Sequence, residues 1–330
     1  RTAKRYILYR DERTRVREMN TRLMKVYEDL TFKSSLENNT KRENANIDGD
    51  TAMGTMLKYG SEGAKQFYEM FILDPEHARA HREGDIHIHD LDFLTLTTTC
   101  CQIDLLRLFK GGFSTGHGFL REPNDIRSYS ALACIALQSN QNDQHGGQSI
   151  PNFDYSMAPG VIKTFRRAFT DNLTKAVEIY LEQTDGELMS KSIVQEAEKQ
   201  TGKTAVFAGD NGFDQAVNDL LCTHTDAQTA GKILRFTRKY AVKETRRNTY
   251  QAMEALVHNL NTMHSRAGAQ VPFTSLNYGT DTSPEGRLVM ECLLKATEAG
   301  LGNGETSIFP IHIFKVKEGV NYNPGEPNYD

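Results

Sequence analysis

The sequence predicts an α/β fold, and three features carry that expectation. Short runs rich in β-branched residues, such as Thr95–Ile103 and Ser307–Lys317, have the texture of strands. Long stretches between them place apolar residues at helical spacing. Strands and helices alternate along the chain, the pattern of layered α/β architectures.

The elements follow in order. Val16, Met19, Leu23, Val26, Tyr27 and Leu30 give a helix over 11–31, followed by a polar linker from Ser35 to Asp50. Asp74-Pro75 supplies an N-cap and first-turn proline for a short helix that Gly84 ends. Ile86-His87-Ile88-His89 alternates with period two and reads as a strand, with a second over Thr95–Ile103. Glu122-Pro123-Asn124 opens a helix running to about Asp143. Ile162, Phe165, Phe169, Leu173, Val177 and Tyr180 form one stripe of a helix over 157–184. Residues 185–213 read as a polar, glycine-punctuated insertion, and helices return over 214–265. Gln270–Tyr278 reads as a strand, Ser283-Pro284 to Gly300 as a capped helix, and Ser307–Lys317 as the last strand.

Composition narrows the class. Of 330 residues, 38% are hydrophobic and 25% charged, enough apolar content for a buried core. A net charge of -4 gives no electrostatic reason to expect nucleic acid as a partner. The absence of any run of about 18 apolar residues argues against a membrane span, and a cytoplasmic location is expected. Five scattered cysteines do not make a disulfide framework, so free thiols are expected. Without an initial Met and without a terminal cap at Asp330, both ends read as cuts through a longer polypeptide.

Several motifs invite chemistry. Gly202-Lys203-Thr204 fails as a phosphate loop because Ala197 stands where a glycine is needed. In the cluster Gly111-Gly112-Phe113, the phenylalanine breaks the dinucleotide spacing. His87 and His89 would share a strand face, either to bind a ligand by hydrogen bonds or as plain structural residues; a third metal ligand is missing, and no metal site is expected. Cys100-Cys101 lies in a strand-like run, so one thiol alone would face a given pocket, and a buried small hydrophobe is the plain alternative. In His145-Gly146-Gly147-Gln148-Ser149 the glycines let Gln148 and Ser149 approach a substrate, unless the run is merely a helix C-cap. Lys163, Arg166 and Arg167 form either a solvated face or a phosphate clamp.

Longer strings resemble one family. Asp85-Ile86-His87-Ile88-His89-Asp90-Leu91-Asp92, Thr99-Cys100-Cys101-Gln102-Ile103-Asp104-Leu105, Gln144-His145-Gly146-Gly147-Gln148-Ser149-Ile150-Pro151, Val271–Thr280 and Gly325–Asp330 are similar, in order, to anaerobic (class III) ribonucleoside-triphosphate reductases. The resemblance implies part of a ten-stranded α/β barrel of the glycyl radical enzyme type, with long helices at a dimer interface. It implies that residues 1–50 follow an absent ATP-cone and that 51–330 begin the barrel. The implied reaction replaces the 2′-OH of a ribonucleoside triphosphate by hydrogen. The glycyl radical, the central-loop cysteine and a structural zinc would lie outside this chain, formate would be the reductant, and a radical SAM enzyme the activator. Cys100, four positions before Asp104, matches the catalytic strand cysteine. His87, Thr99, Gln148, Ser149 and Asn277 are the implied substrate contacts, Thr99 standing where some relatives carry Asn. Asn124, Arg127, Lys163 and Arg167 are the implied contacts of a nucleotide effector, ATP or a deoxynucleotide, in a homodimer. The rival readings are another glycyl radical enzyme of the formate-lyase type and a non-catalytic nucleotide-binding module. A third, a histidine-metal hydrolase, would centre on His87 and His89.

Overall fold

The computed structural model describes residues 2–32, 51–96, 98–182, 184–264 and 271–329. The expected linker from Ser35 to Asp50 lies outside the described residues, as does Gln270 at the start of one expected strand. The chain divides into two compact units: Arg1–Cys101 with Leu137–Gln148 and Thr262–Phe273, and Gln102–Ala136 with Ser149–Asn261 and Thr274–Asp330.

The first unit starts with α1 (Thr2–Phe32), which begins well before the expected residue 11, and α2 (Ala52–Phe67), capped by Thr51 accepting the Gly54 amide. Leu30 is buried on α1, and Tyr27 meets Tyr59 of α2 edge-on at 5.2 Å. After a π-helical turn, α3 (Pro75–Glu83) is set by the expected signals: Asp74 caps the Glu76 amide, Pro75 sits in the first turn and Gly84 ends the helix at φ +86°.

Two expected strands are corrected here. Ile86–His89 is not a strand: the amides of Asp85 and Ile86 bond back to the Ala80 carbonyl, and the Ile88 amide donates to His81 Nδ1. Those bonds keep the segment wrapped on the end of α3, and they outweigh its period-two pattern. The Thr95–Ile103 run shrinks to β1 (Cys101–Gln102), because Leu94 and Leu96 lie in a turn and Cys100 adopts a left-handed φ of +63°.

The second unit contains α4 (Leu105–Phe109) and the antiparallel pair β2 (Phe113–Ser114) and β3 (Phe119–Leu120). α5 (Ile126–Asp143) starts later than Glu122, and its last turns belong to the first unit. Asp125 sets its start, accepting the Ser128 amide at 2.8 Å as an N-cap does. After β4 (Gln148–Ile150) comes α6 (Phe153–Leu181), which buries Phe165, Phe169, Leu173 and Val177. Its Pro159 lies inside the helix, and a Cβ on Gly160 would stand 2.9 Å from the Tyr129 ring of α5. Phe165 meets Phe207 and Phe169 meets Phe213 edge-on, each ring worth about 1.5–3 kcal/mol of burial.

The polar, glycine-punctuated stretch at 185–213, which the sequence reads as an insertion, contains α7 (Gly186–Thr201), a helix the sequence does not signal. This helix buries Gly186, Ser190, Ile193 and Ala197, a stripe of mostly small residues that a search for large apolar side chains passes over. α8 (Phe213–Cys222) and α9 (Ala227–Thr262) follow as expected. β5 (Thr274–Tyr278), α10 (Pro284–Ala299) and β6 (Ile311–Phe314) complete the chain as a βαβ unit. Ser283 caps α10 by accepting the Gly286 amide, as its sequence signals require. β5 and β6 pair in parallel, Ser275 opposite Ile311 and Tyr278 opposite Phe314, in a sheet ordered β1-β4-β5-β6. The chain is α/β with a parallel pair.

Candidate functional site

In the first unit, Cys100 sits in a corner made by backbone. Its amide donates to the His145 carbonyl at 3.1 Å, and the Cys101 amide donates to the Gly147 carbonyl at 2.9 Å. The Gly147 amide points at Cys100 Sγ at 3.4 Å. A Cβ on Gly146, whose φ is +96°, would lie 2.6 Å from the Cys100 nitrogen and 3.1 Å from its sulfur. The two glycines thus leave room for a thiol that remains solvent-exposed. Gln144 ties down the approach, its Nε2 donating to the Thr98 carbonyl at 2.9 Å. His145 stacks on Phe93 at 3.8 Å and shares a hydrogen bond with Asp90 Oδ1 at 3.1 Å.

The other expected residues of this unit are placed as follows. Thr99 is half-buried beside Cys100. Gln148 is buried, its side chain turned to Asn140 and to the Gly146 carbonyl. His87 is exposed, with the His81 and His89 rings 5.7 and 5.8 Å away. Among the described residues, no group of three or more His, Cys, Asp or Glu side chains is arranged to hold a metal ion, and no helix is long and apolar enough to cross a membrane.

In the second unit, Ser149 and Asn277 are brought together, Ser149 Oγ donating to Asn277 Oδ1 at 3.1 Å. Just past Asn277, a buried carboxylate missed in the sequence organises the chain. Asp154 Oδ2 accepts the amides of Gly279, Thr280 and Asp281 at 2.9, 3.0 and 3.0 Å. An acidic residue in the first turn of a helix is ordinary, so the sequence carries no signal that this one is different.

The expected effector residues fall in the same unit, and their charges are already engaged. Lys163 Nζ donates to Glu122 Oε1 at 2.8 Å and to the Pro123 carbonyl at 2.9 Å. Arg167 pairs with Asp125 at 3.1 Å, and Arg127 donates to Asn248 at 2.8 Å and Gln251 at 2.5 Å. The Asn124 amide donates to Ser128 Oγ before α5 begins. The hydrogen bond from Lys163 holds the Glu122 carboxyl below its ordinary range. Burial pushes Asp125 up, but the Ser128 hydrogen bonds and Arg167 outweigh it and bring the carboxyl down.

The second unit is α/β with a parallel strand pair, and the first holds an exposed cysteine in a glycine corner. The chain belongs to the anaerobic ribonucleoside-triphosphate reductase family, whose model matches residues 43–330. It is similar to the anaerobic ribonucleoside-triphosphate reductase of Escherichia coli (strain K12), 26% identical over 99% of this chain and 38% of that protein. The enzyme of the same name from Haemophilus influenzae (strain ATCC 51907 / DSM 11121 / KW20 / Rd) is also 26% identical over the same shares. That of Enterobacteria phage T4 is 27% identical over 87% of this chain and 38% of its own length. The chain therefore spans 38% of the length of the curated relatives it matches.

Proposed function

We propose that this chain is part of the catalytic core of an enzyme that reduces ribonucleoside triphosphates to 2′-deoxyribonucleoside triphosphates under anaerobic conditions. The corner around Cys100 carries this reading, because it presents a thiol with space on its open side. Residues 1–50 are read as following an ATP-cone, and 51–330 as the N-terminal portion of a ten-stranded barrel. The glycyl radical, made by a radical SAM activating enzyme and located outside residues 1–330 with the structural zinc, would supply hydrogen-atom abstraction from the ribose. The residues of this chain do the rest of what can be assigned to it. Cys100 holds a transferable hydrogen on Sγ, and the Gly147 amide fixes the sulfur's direction. Ser149 and Asn277 hold ribose hydroxyls, and His87, Thr99 and Gln148 line the substrate's surroundings. Overall, the 2′-OH leaves as water while formate supplies two electrons and becomes carbon dioxide.

Asn124, Arg127, Lys163 and Arg167 are proposed to contact a deoxynucleotide or ATP effector in a homodimer. Phosphate would take over the cations now held by Glu122 and Asp125. The test uses the complete, activated protein with formate and each ribonucleoside triphosphate. Cys100→Ser should abolish deoxynucleotide formation, a loss of about a thousandfold or more, with substrate binding retained. A Cys100→Ser protein that still turns over at the wild-type rate would sink the assignment.

A further inference from the structure

The three residues after β5 are held by side chains from elsewhere in the chain. Gly279, Thr280 and Asp281 present three amides and three carbonyls, and side chains take all six. Asp154 takes the amides. Asn321 and Asn328 donate to the Gly279 carbonyl at 2.9 and 3.2 Å, Tyr155 to that of Thr280 at 2.7 Å, and Asn328 to that of Asp281 at 2.8 Å. Gly279 is required at its φ of +123°, where a Cβ would meet the Lys315 carbonyl at 2.8 Å. Three successive amides converging on one point form an anion nest, and an internal carboxylate already fills this one. The loop is therefore not a cradle for substrate phosphate.

What the nest does instead follows from its place. Asn277 lies on β5 two residues before Gly279, and its direction depends on how the end of that strand is anchored. We infer that Asp154 is a positioning residue: by holding the amides of residues 279–281 it fixes the end of β5, and with it the direction in which Asn277 meets Ser149. The inference rests on the proposed reductase reading for the use of Asn277, but the anchoring itself does not.

Asp154→Asn in the complete protein is the informative change. Whichever way the carboxamide turns, its NH2 must face either the three loop amides or the Tyr155 amide that Asp154 Oδ1 now accepts at 3.0 Å. Hydrogen exchange of the 279–281 amides should accelerate at least about tenfold. kcat should fall about ten- to a hundredfold with KM within about twofold, as for a misdirected group that touches the substrate. Combining the change with Asn277→Ala should give no further loss beyond Asn277→Ala alone. Unchanged exchange would overturn the inference, and so would losses that multiply in the double variant. If Asp154→Asn does not fold, Tyr155→Phe removes one bond from the same loop and should show smaller shifts in the same directions; no shift would overturn it equally. Wild-type protein that forms no deoxynucleotide would sink the reductase reading instead, and exchange alone would then decide whether Asp154 holds the loop.

Discussion

Around Cys100 the backbone turns through a left-handed cysteine and a positive-φ glycine, and the thiol stays exposed. Around Asp154 the carboxylate is fully buried, and every backbone amide and carbonyl of the adjoining three-residue loop has a side-chain partner. The first corner spends its glycines on space, the second uses its polar side chains for rigidity. A reactive group needs access, whereas a group that aims another residue needs a fixed backbone, and the two corners fit the roles proposed for Cys100 and Asp154.

The largest effect should come from closing the open corner. Gly146→Ala would force a Cβ to 2.6 Å from the Cys100 nitrogen at a φ of +96°. Gly84→Ala makes the control, since its φ is +86° but nothing lies within 4 Å. Thermal melts should show about 1 kcal/mol lost for Gly84→Ala. The loss for Gly146→Ala should be about 3 kcal/mol or more. Equal losses would mean that crowding at Cys100 contributes nothing.

Thiol chemistry sharpens the contrast at smaller cost to the protein. Burial pushes Cys134 up to about 12 and Cys292 up to about 11, so both stay protonated and shielded near pH 8. A brief iodoacetamide pulse read by mass spectrometry should modify the exposed Cys100 and Cys222 and spare Cys134 and Cys292. Labelling of Cys134 as fast as Cys100 would contradict the described burial.

The mildest test concerns the loop around Glu326. The hydrogen bond from the Asn323 side chain leads in lowering this carboxyl to about 2, helped by the amides of Gly319 and Tyr322. A carboxyl lowered in the folded state contributes fully above its ordinary value of 4.5 and loses that contribution as pH falls toward 2. The Gly319 and Tyr322 amide signals should hold steady from pH 7 to about 4 and move only below about 3. Movement centred near the ordinary carboxylate value would refute the bonds.

Much of the helical frame was readable because caps leave local marks. Asp74, Pro75, Gly84, Ser283 and Pro284 each do their work within one turn of their own position. The strands were harder, because a single left-handed residue at Cys100 ends a run whose composition favours extension, and composition does not encode φ. α7 was missed for the opposite reason: its buried stripe includes Gly186, Ser190 and Ala197, which carry little hydrophobic signal. Of the candidate site, the strings around Cys100, Gly146 and Asn277 were visible as words, whereas Asp154 was not. The three loop amides it holds lie 125 or more residues away, and only the fold reveals that they converge on it.

Pro159 and Gly160 sit side by side in α6, and together they cost an isolated helix about 4 kcal/mol relative to alanine. Pro159 has no N–H to offer the Tyr155 carbonyl, and Gly160 has no side chain to stiffen the turn. Cut out as a peptide, residues 153–181 would keep helix only beyond that point, leaving the turn that bears Asp154 as random coil. The segment that anchors β5 is thus ordered by its surroundings, among them the Tyr129 ring of α5, which packs where a Cβ on Gly160 would stand.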